Sequence, residues 1–415
     1  ALAASCTLDA WSREKHVVLE ADLDLTGLTF SPIATFGGTF DGQGHTIRGL
    51  TVTDALSPAG LICTLQPTGR VENLHIEGSV APAGDPVSTG GLVGENYGTI
   101  ENCSFTGTVS GGWATGGLVG ENKASGVLRG CRTGGTVDGE NRTGGLVGCN
   151  LGVIEDCENA AYVNIESVDP GIDLSDLDLT FSLDLTKLSE LSTANIATDT
   201  GGVAGYNAGT ISAARNTATI GYPHIGYNTG GIVGRMDMGR VQNCENYGDV
   251  ASTDGSYVGG IAGASWGTVH SCWSKCTLSG THYIGGIAGL GSDLTECRTL
   301  VEIAEGGAYT GAVAGSIETD GTVSGNLFAS EDLAAIDGIS YAGSAEPVTL
   351  EALCLLPDVP TDFSKLTLTF TADDELVGIV SVPYGEGIDV LPELPAKEGY
   401  SAAWPDLDYR HITAS

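Results

Sequence analysis

At 415 residues the chain is long for one ordinary core, and 63 glycines with 41% hydrophobic residues suit many tight turns around a narrow interior. Fifty-two acidic against 17 basic residues give a formal net charge of −35, which repels phosphate backbones and anionic lipid and so excludes nucleic acid as a partner. No stretch approaches the ~18 apolar residues of a transmembrane helix, so no direct membrane insertion is expected of these residues.

The chain opens Ala1-Leu2-Ala3-Ala4-Ser5-Cys6, where Ala3 stands in place of the larger aliphatic usual before a lipid-modified cysteine. Any membrane or wall anchor is therefore expected outside these residues. From Val17 to Thr53 apolar and polar residues alternate around glycine turns, which predicts opening strands with Phe40, Ile47, Leu50 and Val52 inward and turns at Asp41-Gly42 and Gln43-Gly44.

A five-residue phrase then recurs, two glycines, two aliphatics and a glycine, beginning at Gly90, Gly116, Gly144, Gly201, Gly230, Gly259 and Gly285, with a worn copy at Gly311. The steps are 26, 28, 57, 29, 29, 26 and 26 residues, and 57 is close to two periods. A unit this short, built from Val-, Ile- and Thr-rich strands between tight turns, cannot bury its apolar face alone, so successive units must stack. The predicted fold is all-β: a right-handed parallel β-helix of about ten coils at the ordinary strand spacing of about 4.8 Å.

Two further columns keep the same register. Cys103, Cys131, Cys157, Cys244, Cys272 and Cys297 lie 12 to 15 residues after the first glycine of their units. Stacking places them in a ladder of buried, reduced thiols, because parallel coils do not aim neighbouring Cβ vectors at one another. Asn96, Asn122, Asn150 and Asn207 each lie six residues after it, where asparagine can accept a left-handed backbone and hydrogen-bond along the stack.

The 57-residue step holds an irregular insert near 165–196, whose centre, Leu177 to Leu185, alternates with period two. Asp169, Asp173, Asp176, Asp178 and Asp184 could gather oxygen ligands for Ca²⁺, but no recognised calcium-loop spacing is present and a solvated strand face is the expectation. His270, Cys272, Cys276 and His282 have zinc-like spacing, yet Cys272 belongs to the ladder and should face inward. No resident cofactor is expected.

After Phe328 the phrase stops, and 336–362 reads as a cap and linker with a short helix within Thr349–Leu356, covering an end strand that would otherwise pair with other chains. Residues 363–415 read as a separate small module with paired strands at Leu366–Phe370 and Leu376–Val382, followed by Pro383-Tyr384-Gly385, Leu394-Pro395, Gly399-Tyr400 and Trp404. The β-helix itself is assigned to 1–335.

The registered Gly-Gly-Leu-Val-Gly phrases resemble the GLUG-motif family of bacterial surface proteins over residues from about 60 to 315. The Tyr-Gly, Pro, Gly-Tyr and Trp order of the last module is similar to the internalin B-repeat group, small β-grasp-like modules of surface proteins. Together these resemblances imply a secreted or cell-surface bacterial protein, adhesin-like and non-enzymatic, that binds a host or environmental glycan or a surface protein. The alternatives are a polysaccharide-active β-helix enzyme, lyase or glycosidase, and a purely structural spacer. Against the enzyme, the chain lacks the paired carboxylates such chemistry needs, and His45, beside the Asp-Gly-Gln-Gly turn, reads as a turn residue.

The candidate ligand contacts are aromatic. Tyr257, Tyr283 and Tyr309 each sit two residues before their glycine phrase, and Trp113 and Tyr227 sit one residue further upstream. Stacking puts the three tyrosines in file, either as an outward platform for sugar rings or, if strict alternation runs through the phrase, as an internal stack that staples the coils.

Overall fold

The structure is a computed structural model that describes residues 2–165 and 198–414, apart from 85, 223–226, 253–254, 306, 340–342, 374, 397–402 and 406–407. The expected insert and its five aspartates lie outside the described residues. Contacts divide the chain into two units, Ala1–Glu346 and Pro347–Ser415.

The first unit is a parallel β-helix. In one coil the strands are Ser88–Gly90, Val93–Asn96, Thr99–Glu101 and Ser104–Gly111, and each pairs in parallel with its counterpart in the next coil. Val93 thus stands over Val119, Val147, Ala204, Val233, Ala262, Ala288 and Ala314 in turn.

The glycine phrase is the corner between two of these strands. Leu92 and Val93 both donate their backbone N–H to the Leu118 carbonyl, at 3.0 and 3.1 Å, so the chain turns and both aliphatics point inward. Their equivalents from Leu118 to Val313 are fully buried, and the Leu, Val and Ile among them each contribute roughly 1.5–3 kcal/mol of apolar burial. Glycine is required because backbone comes so close, that of its own turn at Gly116 and that of the next coil at Gly117. A Cβ on Gly116 would lie 2.1 Å from the Val119 carbonyl oxygen, and one on Gly117 would lie 2.2 Å from that of Gly145.

The cysteine ladder forms as expected. The carbonyls of Leu74, Cys103, Cys131, Cys157, Ala214, Cys244, Cys272 and Cys297 each accept from the residue that follows the equivalent position in the next coil, as Cys103 does from Arg132, which makes these residues vertical neighbours. The six thiols are free and buried, and each lies within hydrogen-bonding distance of the carbonyl two residues before it, as Cys103 does of Glu101 at 3.3 Å. Burial pushes the Cys103 and Cys272 thiols well up from the ordinary range.

The asparagine column corrects half of its expectation. Asn96 donates to Asn122 at 2.8 Å, Asn122 to Asn150 at 2.8 Å and Asn150 to Asn207 at 2.7 Å, all fully buried. None of the four is left-handed. The left-handed corners lie instead at Asn73, Asn102, Gly130, Asp156 and Asn243, one residue before the Leu74 and cysteine column, because there the chain turns between sheets rather than running along one. A second ladder, unforeseen from the sequence, runs Thr133, Asn159, Asn216, Asn246 at 2.7–2.9 Å.

Both ends are covered. The short helix Leu2–Ser5 leads to a buried Cys6, and Gln66 ties this segment down by donating to the Asp9 carbonyl at 2.8 Å. At the other end Ala312 and Val313 donate to Ala334 and Ala335, which seals the last glycine corner.

From Arg215 onward the long strand of each coil, such as Glu158–Val163, is split in two, and its second half continues as the ladder Ile220–Tyr222, Val250–Ser252, Thr277–Ser279 and Glu302–Glu305. It encloses a second small core of Val250, Val258, Leu278, Ile284 and Val301. This core is the inner side of the wall that carries the tyrosines.

In the second unit Thr349 caps the helix Leu350–Cys354 by accepting from the Ala352 N–H at 3.1 Å. A helical turn at Thr361–Ser364 leads into the antiparallel hairpin Lys365–Ala372 and Glu375–Pro383, packed around Leu366, Val382 and Ile412. Trp404 meets Phe370 edge-on with 5.1 Å between ring centroids.

Candidate ligand-binding edge

Strict alternation would have turned the tyrosines inward, and a left-handed residue breaks it. Tyr257, Tyr283 and Tyr309 have φ of 65°, 57° and 67°. The following residues, Val258 and Ile284, remain fully buried, so the rings swing to the surface, where Tyr309 is 44% exposed. Bulky residues rarely adopt this conformation, which costs on the order of 1–2 kcal/mol each, and such strain gathers at functional positions.

The rings stack along the solenoid. Centroids of Tyr257 and Tyr283 are 4.9 Å apart with 14° between planes, and those of Tyr283 and Tyr309 are 4.6 Å apart with 5°. The faces are therefore spent on one another, and the file is a surface stack rather than either a platform of ring faces or a core stack. Among the described residues none of the three hydroxyls bonds to another protein group, as is also true of Tyr97, Tyr162, Tyr227 and Tyr384, whereas those of Tyr206, Tyr247 and Tyr409 do bond. Partial burial, then the neighbouring phenols and Asp337, raise the Tyr283 phenol and keep it protonated.

Asn228 and Asp199 occupy the equivalent left-handed position in the two preceding coils, with φ of 58° and 54°. Tyr227 falls in the neighbouring column, opposite Ser256, and does not extend the file. Trp113 lies on the same edge but reaches it through Arg142. The Arg142 guanidinium lies 5.3 Å from the Trp113 ring centroid and 4.2 Å from that of Tyr206, with its Nε 4.0 Å from Asp199.

Asp199 in turn accepts from Asn228 at 2.7 Å, and burial raises its carboxyl above the usual range despite that bond and the two nearby arginines. Arg235 pairs with Asp237 at 2.7 Å and lies 5.4 Å from the Trp266 ring, whose indole N–H donates to Glu318 at 2.9 Å. Lys123 is held between Glu95 and Glu121 at 3.1 and 2.7 Å. Exposed aromatics and paired cations thus line one edge of an otherwise acidic solenoid.

Sequence reasoning placed Trp113 and the tyrosines here but missed Arg142, Asp199, Tyr206, Arg235 and Trp266. Asp199 and Asn228 were findable, since each stands two residues before its glycine phrase, at the same offset as the tyrosines.

Two other features carry less chemistry. A surface groove of about 460 Å³ is bordered by Arg132, Glu158, Arg215 and Glu245, stacked in register so that opposite charges alternate and neutralise one another. The zinc-like set is not assembled: Cys272 is buried in the ladder, His270 is bonded to Thr295 at 2.9 Å and His282 is exposed. Among the described residues no three His, Cys, Asp or Glu side chains converge as a metal site, and no helix is long and apolar enough to cross a membrane.

The family described as the GLUG motif matches residues 85–110, one unit of the array. Halomucin of Haloquadratum walsbyi is 40% identical over 104 residues, which is 24% of this chain and 1% of halomucin, so the chain spans about a hundredth of that relative. A solved structure described as a candidate immunoglobulin A1 protease from Bacteroides ovatus aligns over 82% of this chain and 80% of its own, at 19% identity and a TM-score of 0.31. That similarity is too distant to bear on activity.

Proposed function

We propose that the protein works outside the cell as a non-enzymatic, adhesin-like rod that binds saccharide through the edge running from Trp113 to Tyr309. The observation that carries this reading is the file of three surface tyrosines held in strained backbone, whose hydroxyls have no protein partner among the described residues. Folding alone gains little from such an arrangement, since a left-handed glycine would relieve the strain. The GLUG motif and the segment shared with halomucin support a place at the cell surface, and the C-terminal hairpin unit is read as a spacer of the internalin B-repeat kind.

The test is a glycan array probed with the full chain, paired with a product-release assay on the retained polysaccharides. Retention that is lost in Tyr309→Ala, with no product released, supports the reading. Release of shortened products would favour an enzyme instead, and retention unaffected by Tyr309→Ala would move the site elsewhere.

A further inference from the structure

This inference deepens the reading of the edge as a saccharide site and rests on it. We infer that the ligand is an extended, linear, non-anionic polysaccharide lying parallel to the solenoid axis, with one sugar residue meeting one tyrosine hydroxyl per coil.

The first support is the spacing. The three rings repeat at 4.9 and 4.6 Å because the coils beneath them are paired strand to strand. A β-1,4-linked chain of pyranose rings advances by a closely similar length per residue when fully extended. Recognition groups in file at that interval can therefore meet successive sugars without bending the chain, whereas a branched or coiled saccharide would meet only one of them.

The second support is which atoms remain available. Ring faces at the middle of the file are covered by neighbouring rings, so hydrophobic stacking on a sugar face is closed to Tyr283. What the file offers is a row of phenol oxygens, each able to donate one hydrogen bond and accept another. Tyr283 stays protonated, so that donor persists at neutral pH. The expected recognition is by hydroxyl-to-hydroxyl bonding, one bond per coil, and each added sugar should contribute a similar increment until the file is filled.

The third support is charge. Along this edge Arg142 lies beside Asp199, Arg235 pairs with Asp237, and Lys123 lies between two glutamates. Among the described residues each of these cations has an acidic neighbour within 4.0 Å, which weakens its pull on a uronate or sulfate, and a chain of net charge −35 repels polyanions at long range. Neutral or amine-bearing sugars carry no such penalty.

Titration of the full chain with cellulose-derived and chitin-derived oligosaccharides, from disaccharide to hexasaccharide, tests this directly. Affinity is expected to rise with each sugar up to the trisaccharide or tetrasaccharide and then level off, with little dependence on salt. The triple variant Y257F/Y283F/Y309F keeps the stack and loses only the hydroxyls, so it should fold as wild type and bind about tenfold more weakly or worse. Affinity independent of length, binding that survives the triple Phe change, or no binding across both series would each overturn the inference. Such a failure stays separate from that of the broader reading, because the array with Tyr309→Ala decides independently whether the edge binds any saccharide.

Discussion

Two columns of the same solenoid, one coil spacing apart at every step, use polar residues in opposite ways. The asparagines 96, 122, 150 and 207 are fully buried and hand one hydrogen bond from coil to coil. The tyrosines 257, 283 and 309 sit at the surface, in a conformation their side chains resist, and their hydroxyls bond to no protein group among the described residues. A column whose polar atoms are all satisfied internally explains itself by stability. A column that accepts strain and keeps polar atoms free does not, and the difference points to an external partner for the second.

The largest effect expected on this contrast comes from alkaline pH. Burial, with nearby charge, holds Cys149 up to about 11 and Cys276 up to about 12, and Cys103 and Cys272 are raised as well. An unfolded thiol ionises near its ordinary value of about 8.5, so the unfolded state loses protons first. The stability tied to these groups is complete below about pH 8.5 and is lost as pH rises toward the folded values. Melting temperature should therefore fall steeply over that window, and thiol labelling should stay slow until the chain unfolds. If the triple Tyr→Phe variant shows the same fall, the buried thiols are responsible. If it abolishes the fall, ionisation of the stacked phenols is the cause and the surface column contributes to folding.

Next in size is a break in the buried column. Asn122→Leu keeps the branched shape, in a somewhat larger side chain, but orphans the Asn96 amide N–H inside the core. A buried donor without a partner costs about 1–3 kcal/mol, added to the net value of the bond lost toward Asn150. Urea unfolding should show a loss of about 2–4 kcal/mol, and hydrogen exchange should place the loosening in the coils around residues 93–150. A loss below about 0.5 kcal/mol would mean that this ladder is incidental.

Much of the first unit was legible because it repeats. Glycine, cysteine and asparagine offsets each report the register, and three agreeing registers leave little freedom in how coils stack. The tyrosine file was legible for the same reason, from its constant place two residues before the phrase. Its orientation was not. Strict alternation predicts an inward ring, and only a left-handed φ at the tyrosine itself reverses that, a choice the sequence hides because tyrosine is not a residue that signals it. Arg142 and Asp199 share the tyrosine column, two residues before their phrases, but their meeting with Tyr206 and Arg235 was illegible for another reason. Tyr206 and Arg235 stand one residue after their phrases, and a period of 26 to 29 residues fixes which coils are neighbours but not which two columns face each other across a corner. The second asparagine ladder escaped because Asn159, Asn216 and Asn246 lie two residues beyond the cysteine position and were not read as a set.

A smaller effect separates strain from stacking at the end of the tyrosine file. Tyr309→Ala removes a stacked partner worth about 0.5–1.5 kcal/mol and keeps a Cβ in the left-handed conformation. Tyr309→Gly loses the same contact but also relieves the conformational penalty of about 1 kcal/mol. The glycine variant should therefore be the more stable of the two by about that amount, and thermal unfolding in parallel resolves the pair. Equal stabilities would mean that the backbone there is not strained.

The smallest change is the most informative about purpose. Tyr257→Phe deletes one hydroxyl, and among the described residues that oxygen bonds to nothing in the protein. The stack on Tyr283 is preserved, no buried group is orphaned, and the stability change should stay within about 0.5 kcal/mol. Placed beside Asn122→Leu, this sets two single-side-chain deletions of polar atoms in register-locked columns against each other. The buried one should cost stability, whereas the surface one should leave melting unchanged while weakening saccharide binding. A clear loss of stability in Tyr257→Phe would show that the hydroxyl is satisfied within the fold after all. The two columns would then be variations on one structural device, and the tyrosine file would lose its claim to a ligand.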